Sequence, residues 1–485
     1  MSHPTPHHER RWAILAILGL AQLMVVLDAT IVNIALPSAQ KALHFSNDNR
    51  QWIVTAYSLA FGSLLLLGGK ISDIFGRKWT FVTGLSGFAL ASAVGGAAQS
   101  FTMLATARAF QGAFGALLAP AALSLLTTTF TDPGERNKAF GIFGAIAGSG
   151  ASVGLLLGGF LTQYLNWRFS MYVNVLFAIV AVSGALVLLH NQAPATKPRL
   201  DIPGVLTVSL GLFALVFGFN HAQTTSWSNG ETIASLAAGV ALLVAFVGIE
   251  SRVPSPLLPL RVVRDRNRGA AYISMGLAAI AMFGVFLFLT YYLQVSRGYS
   301  PVTTGLAFLP MTLVVMVTAV VATTRLRPRV GPRPLMVAGM TLGAIGMLML
   351  RGIGLDTSYL GAVMPGLVLM GMGLGLVFST ALNSATLGVA QEDAGVASAT
   401  VNAAQQVGAS LGTALLSTLA ASAATSFLAG QRPTPLLLAR AAIHGYTTAF
   451  TVSAGVFAVA AVIAGLLFTG GAAQPQTNGE PVLAA

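Results

Sequence analysis

Apolar runs of about 20 residues recur along almost the whole chain, and short polar gaps separate them. An α-helix rises 1.5 Å per residue, so a run of roughly 20 residues crosses the ~30 Å hydrocarbon layer of a bilayer. Only 8% of the residues are charged, against roughly a quarter in a soluble domain. We therefore expect an all-α polytopic membrane protein. Fourteen transmembrane helices are predicted, over residues 12–36, 51–69, 79–98, 102–127, 139–162, 169–190, 203–221, 232–250, 269–293, 303–324, 335–354, 360–388, 396–425 and 446–470.

The distribution of positive charge predicts the orientation of these spans. With the N-terminus inside, 18 of the 26 Lys and Arg residues fall in cytoplasmic segments, 7 fall on the other side, and Arg108 lies within a span. This bias satisfies the positive-inside rule. The first run is too long for the apolar core of a cleaved signal peptide, so we expect an uncleaved first span. The sequence thus predicts a multi-pass protein of the cell inner (plasma) membrane with both termini cytoplasmic.

Two polar joints that contain prolines divide the chain. Residues 191–203 and 251–268 bracket the seventh and eighth spans, and six spans lie on either side of that pair. Two similar bundles around a central cavity are typical of transporters built from internal repeats. The predicted domains are a cytoplasmic tail (1–11), an N-terminal six-helix bundle (12–190), a linker with two extra transmembrane helices (191–268), a C-terminal six-helix bundle (269–470) and a disordered tail (471–485).

Two ionisable residues lie well inside predicted spans, where a charge is costly and therefore indicates function. At 1.5 Å per residue, Asp28 lies about 12 Å and Arg108 about 9 Å below the same face, so the two side chains should meet. Burial favours the neutral form of a carboxyl group and a nearby cation favours its charged form, so Asp28 could load and release a proton. Gln111, one turn after Arg108, could hydrogen-bond either partner. The alternative is a permanent ion pair that only joins helix one to helix four.

Two glycine-containing segments are further candidates. A short basic turn links the second and third spans, and its glycines permit backbone conformations that other residues resist. The fifth span carries glycines largely at four-residue spacing, which lets helices approach closely in lipid. The alternatives are a topological anchor for the turn and simple packing for the helix. The candidate residues are Gly69, Asp73, Gly76, Arg77 and Lys78 in the turn and Gly150, Gly154, Gly158 and Gly159 in the helix.

Other chemistries find little support in the sequence. Cysteine is absent, which excludes disulfides and thiolate metal sites. None of the seven histidines lies deep in a predicted span or converges with carboxylates, so we predict no metal site and no acid-base enzyme centre. The net charge of +12 is spread over short loops, so we expect no nucleic-acid partner. A polytopic membrane enzyme is kept as a remote alternative.

Several segments resemble motifs of the major facilitator superfamily, in particular its fourteen-span drug:proton antiporter family. Leu27–Pro37 is similar to the family's first-helix motif, Gly69–Lys78 to the superfamily's loop motif, and Arg108–Gly112, with Gly115, to the fourth-helix motif. Gly150–Gly159 resembles the fifth-helix antiporter motif. The seventh and eighth spans match the two extra helices of this family, so the resemblance covers essentially the whole chain.

The resemblance implies the major facilitator fold and proton-coupled export of drug-like or antibiotic molecules by alternating access. It implies that Asp28 and Arg108 take part in proton coupling and that the turn residues close an intracellular gate. Asp73 would then approach the start of helix thirteen near Gly395 and Ala397. The implied energy source is a proton gradient with no cofactor. The implied partners are a small-molecule substrate, protons and the lipid bilayer, and the protein is expected to be monomeric.

One position departs from the family's pattern. Leu155 follows Gly154 where the antiporter motif usually has a proline. Any bend in helix five must then come from the flexibility of glycine alone. A transporter dedicated to one specific metabolite, on the same fold, stays open as an alternative.

Overall fold

The structure is a computed structural model, and it describes residues 7–45, 47–190, 201–254, 256–389, 393–432 and 434–469. Within these residues the chain forms fourteen long helices and no β-strand. The predicted tail 471–485 and the first part of the predicted linker, 191–200, lie outside the described residues. The helices are α1 (His7–Leu43), α2 (Asn47–Phe75), α3 (Arg77–Gly96), α4 (Phe101–Thr129), α5 (Pro133–Tyr164), α6 (Phe169–Leu188), α7 (Ile202–Thr224), α8 (Gly230–Glu250), α9 (Arg266–Gly284), α10 (Pro301–Val321), α11 (Pro332–Leu350), α12 (Met364–Thr386), α13 (Ala394–Leu428) and α14 (Pro435–Leu467).

Three of these helices include π-helical turns, which we count as parts of the helix. Helix α9 continues through Val285–Leu289 and Tyr292–Ser296, and Tyr359–Val363 precedes α12. Helix α10 continues through the π-helical turn Ala322–Leu326 and ends with Arg327–Val330. A short separate helix, Leu260–Arg264, precedes α9.

Two glycines mark the same point in both halves of the chain. Gly76 joins α2 to α3 with a φ of 92°, and Gly331 joins α10 to α11 with a φ of 76°. Both values lie in the left-handed region, which side chains with a Cβ atom rarely adopt. Each glycine lies between the second and third helices of a six-helix set, so the backbone repeats the same turn in both halves.

The helices pack as two sets, α1–α6 and α9–α14, and helices of one set also contact helices of the other. Within the first set, α4 packs on α2 and α3, α6 packs on α1 and α3, and α1 packs on α5. In the second set, α12 packs on α10 and α11, while α14 packs on α9, α11 and α13. The sets meet where α5 contacts α10 and α12, and where α13 contacts α2 and α4. Helices α7 and α8 pack on each other, and α7 also packs on α2 and α13.

Twelve of the described helices are long and apolar enough to cross a membrane, judged by length and composition. Helices α3 and α5 are not among them. A shorter apolar segment, Val153–Tyr164, lies in α5. The all-helical membrane fold is as predicted, whereas the number of fourteen transmembrane spans stays a prediction.

The odd-numbered helices begin at one end of the molecule, which we call the basic face. Three polar contacts between helix ends lie there. Arg11 of α1 pairs with Glu135 of α5, and Lys70 Nζ of α2 donates to the Pro256 carbonyl oxygen at 3.1 Å. Arg261 Nη2 lies 2.8 Å from Asp393 Oδ2, which precedes α13. Polar contacts therefore tie the loop between α8 and α9 to both sets of helices.

Candidate functional site

Asp28 of α1 lies at the centre of a fully buried polar cluster. Its Oδ2 accepts a hydrogen bond from Arg108 Nη1 of α4 at 2.5 Å. Its Oδ1 accepts from Gln111 Nε2 at 3.1 Å and from Asn174 Nδ2 of α6 at 2.7 Å. The side chains of Asp28 and Arg108 are 0% and 1% exposed, so water does not screen the pair. The predicted meeting of Asp28, Arg108 and Gln111 is present in the structure, and Asn174 adds a donor.

Arg108 is held on all sides as well. Its Nη1 also donates to Gln111 Oε1 at 2.9 Å, and its Nε donates to the Ile53 carbonyl oxygen of α2 at 3.3 Å. The guanidinium carbon lies 4.4 Å from the ring centroid of Tyr57, close enough for a cation–π interaction. Arg108 thus connects α4 to both α1 and α2.

Three members of the cluster were not predicted from the sequence: Ser92, Asn174 and Tyr57. Gln111 Nε2 donates to Ser92 Oγ of α3 at 2.6 Å, and Asn174 belongs to α6. These side chains carry no charge at neutral pH, so the cost of a buried charge does not single them out. A useful signal is the position of Asn174 within α6, where it is the only amide side chain.

The glycines of α5 pack against the turn of α1 that holds Asp28. A Cβ atom at Gly150 would lie 2.8 Å from Val26 Cγ1, and one at Gly158 would lie 2.8 Å from Ile31 Cγ1. The closest approach is at Gly154, where a Cβ atom would lie 2.0 Å from Thr30 Oγ1. Gly159 and Leu155 are buried in the same helix. Helix α1 is therefore fixed to α4 by charge and to α5 by close backbone approach.

The predicted gate residues lie at the basic face, where α2 ends and α3 begins. Asp73 and Arg77 are one turn apart, with Arg77 Nη2 4.0 Å from Asp73 Oδ1. Burial lowers the pKa of the Arg77 guanidinium, and the charge of Asp73 opposes that shift. Lys78 Nζ donates to the Leu186 carbonyl oxygen of α6 at 3.0 Å.

Gly76 takes the left-handed backbone conformation described above, and Gly69 is buried near the end of α2. The predicted approach of Asp73 to the start of helix α13 stays a prediction. Helix α13 does pack on α2, as that prediction requires.

The clearest polar contacts between the two sets of helices at the basic face involve other residues. Arg136 Nη2 of α5 donates to the Thr386 carbonyl oxygen of α12 at 2.9 Å. Asn383 Nδ2 of α12 donates to Asn137 Oδ1 at 2.7 Å. A turn or two deeper, a Cβ atom at Gly144 would lie 3.0 Å from the Ser379 Cα atom. The two sets are therefore locked together at this face, and sequence analysis did not select any of these residues.

A small cavity lies between the two sets, deeper than these polar contacts. It encloses about 10 Å³, which is about the space of one water molecule. Its lining is uncharged, and it combines aromatic rings with the amides of Gln22, Asn402 and Gln405. An organic molecule does not fit in a space of this size, so this cavity must widen before such a molecule can bind in it.

Comparison with known proteins identifies the family. The family model described as Major Facilitator Superfamily matches residues 18–413. The chain belongs to the Major Facilitator Superfamily. The predicted fold class and family are thereby confirmed, and no group of residues suited to hold a metal ion occurs in the described part of the chain.

Curated relatives of this superfamily member are resistance and export proteins. The chain is 48% identical over 460 residues to the puromycin resistance protein of Streptomyces alboniger, covering 94% of this chain and 91% of that protein. It is 37% identical to the cephamycin export protein CmcT of Amycolatopsis lactamdurans, covering 83% of each chain. It is 36% identical to the tetracenomycin C resistance and export protein of Streptomyces glaucescens, covering 85% of this chain and 76% of that protein. The protein is therefore a drug efflux transporter and not an enzyme, as predicted.

A solved structure shows the same fold. The human organic anion transporter MFSD10 superimposes with a TM-score of 0.65 at 16% identity, covering 95% of this chain and 100% of that one. At this identity the similarity concerns the fold alone.

Proposed function

We propose that the protein exports antibiotic-like small molecules from the cytoplasm in exchange for protons, which the gradient across the plasma membrane supplies without a cofactor. The observation that carries this proposal is the buried contact of Asp28 with Arg108 on adjoining helices. A carboxyl group is a natural carrier of one proton, and an intramembrane carboxylate is costly unless it has such a use. The protein would act as a monomer whose partners are substrate, protons and lipid.

Protonation of Asp28 conflicts with its present hydrogen bonds. Its two oxygens accept from three donors, on Arg108, Gln111 and Asn174. A protonated carboxyl group loses its charge and gains an O–H donor that faces these donors, so its hydrogen bonds with the three side chains weaken. Loading a proton therefore loosens α1 from α4 and α6.

A shift of α1 would reach the interface between the two sets of helices through α5. Gly154 and Gly158 bring α5 into close contact with α1, and α5 in turn contacts α10 and α12. The hydrogen bond from Arg136 to the Thr386 carbonyl oxygen, which joins the two sets of helices, lies at the start of the same helix α5. Proton binding at Asp28 would thus bias the opening of the basic face, which is the requirement for alternating access.

The orientation follows from the charge on the basic face. It holds most of the Lys and Arg residues of the chain, and the positive-inside rule places such a face in the cytoplasm. We therefore propose that both termini are cytoplasmic and that substrate is taken up at the basic face.

Replacing Asp28 with Asn tests proton coupling. Asn cannot titrate, so vesicles that contain the Asp28→Asn protein should show no proton movement when substrate is added, whereas wild-type vesicles should. A pH-sensitive dye inside the vesicles measures the flux. Asp356→Asn serves as the control, because Asp356 is an exposed carboxylate between α11 and α12 and its loss should leave the flux unchanged. Unchanged flux with Asp28→Asn would falsify the proposal.

The substrate range can be measured by growth inhibition. We propose that the substrates include puromycin-like aminonucleosides, because the puromycin resistance protein matches nearly the whole chain. Expression should raise the inhibitory concentration of puromycin more than that of lincomycin or of unrelated toxic compounds. A host that expresses Asp28→Asn at the same level is the control. Protection against one chemical group alone would instead indicate a dedicated transporter.

A further inference from the structure

Arg327, at the end of α10, is a buried cation without an acidic partner among the described residues. It is 5% exposed, and its Nη1 is buried and makes no hydrogen bond. Arginine stays protonated in proteins, so this residue cannot avoid the cost of burial by losing its charge. Breaking or omitting the partner of a buried charge costs several kcal/mol. An anion is the partner that would offset this cost.

A second cation faces the same place from the other set of helices. Arg136 lies in the first turn of α5, and its Nε is also buried without a hydrogen-bond partner. The facing helices fix this placement. A Cβ atom at Gly141 of α5 would lie 2.2 Å from Thr323 Oγ1 of α10, and one turn nearer the basic face these helices carry Asn137 and Arg327.

The acidic residues at the start of α5 are engaged elsewhere. Asp132 Oδ1 accepts from the Glu135 backbone N–H at 2.9 Å and so caps the helix. Glu135 pairs with Arg11 of α1. Neither carboxylate is therefore available to neutralise the two arginines.

We propose that Arg136 and Arg327 bind a phosphate-type anion between α5 and α10 at the basic face. Arginine donors suit phosphate oxygens well, because several N–H groups can reach one group of oxygens. Either a free phosphate ion or the headgroup of an anionic lipid offers this chemistry. The bound anion bridges both sets of helices beside the contacts of Arg136 with Thr386 and of Asn137 with Asn383. It therefore stabilises the arrangement that is closed at this face.

Thermal unfolding of the purified full chain tests this site. Inorganic phosphate, and separately phosphatidylglycerol, should raise the melting temperature of the wild-type protein at constant ionic strength, by mass action. A rise with phosphate identifies a free anion as sufficient, whereas a rise with phosphatidylglycerol alone identifies a lipid headgroup. Arg327→Gln and Arg136→Gln should each lose the rise. Arg329→Gln is the matched control, because Arg329 is exposed at the end of the same helix.

The melting temperature of the Arg327→Gln variant in the absence of any anion distinguishes an arginine that binds an anion from one with a purely structural role. Without phosphate or anionic lipid, Arg327→Gln should melt at a higher temperature than the wild type, because it removes an unpaired buried charge. Two results overturn the proposal. One is an Arg327→Gln protein that is less stable than the wild type in anion-free detergent, and the other is an equal response of this variant and the wild type to both ligands.

Discussion

Replacing Arg108 with Gln should lower the free energy of unfolding by about 3–5 kcal/mol, because it leaves the carboxylate of Asp28 buried without its cation. The two side chains are 1% and 0% exposed, so solvent cannot compensate the loss. The hydrogen bond to the Ile53 carbonyl oxygen and the contact with the Tyr57 ring are lost as well. Thermal or denaturant unfolding of the purified protein measures the change. Arg351→Gln is the control, since Arg351 is exposed and its loss should be nearly neutral.

The double variant Asp28→Asn, Arg108→Gln separates a structural ion pair from a proton-coupling pair. Removing both charges together leaves no unpaired buried ion, so most of the lost stability should return. Substrate-driven proton flux should nevertheless stay absent, because neither side chain can titrate near neutral pH. A double variant that is stable and still moves protons with substrate would show that Asp28 and Arg108 only join α1 to α4.

Sequence alone could predict the meeting of Asp28 with Arg108, because helical rise converts position in a span into depth. Two charges at similar depth in hydrocarbon have few other partners. The roles of Ser92 and Asn174 could not be derived in this way, since uncharged polar side chains are common in membrane helices and often serve packing. Their partners depend on which faces of α3 and α6 turn inward, and apolar composition does not record this.

The polar contacts that join the two sets of helices at the basic face could not be predicted from the sequence, for a different reason. Asn137 and Asn383 are 246 residues apart, and their contact depends on how the two sets of helices meet.

The lengths of the helices were also underestimated from the sequence. The second span was predicted over 51–69, whereas α2 extends over Asn47–Phe75. Polar residues continue the helix beyond the apolar run, because the backbone hydrogen bonds do not require lipid.

Replacing Gly154 with Ala should lower the free energy of unfolding by about 1–3 kcal/mol, the usual cost of overpacking. The added Cβ atom would lie 2.0 Å from Thr30 Oγ1 and 3.0 Å from the Leu27 carbonyl oxygen, so α1 and α5 must move apart. Leu27 directly precedes Asp28, and the displacement should therefore also disturb the buried cluster. We expect slower export in vesicles together with the loss of stability.

Two further variants show whether this effect comes from the contact itself. Gly455→Ala in α14 is the matched control, since a Cβ atom there would meet nothing within 4 Å. That change should be neutral or stabilising by up to about 1 kcal/mol, because Ala favours helix more than Gly. Adding Thr30→Ala to Gly154→Ala removes the nearest atom and should restore part of the stability. If Gly154→Ala matches Gly455→Ala in both stability and export, the close approach of α5 to α1 does not carry the coupling. Motion of α1 would then have to reach the second set of helices by another path, and both α4 and α2, which contact α1 and α13, offer one.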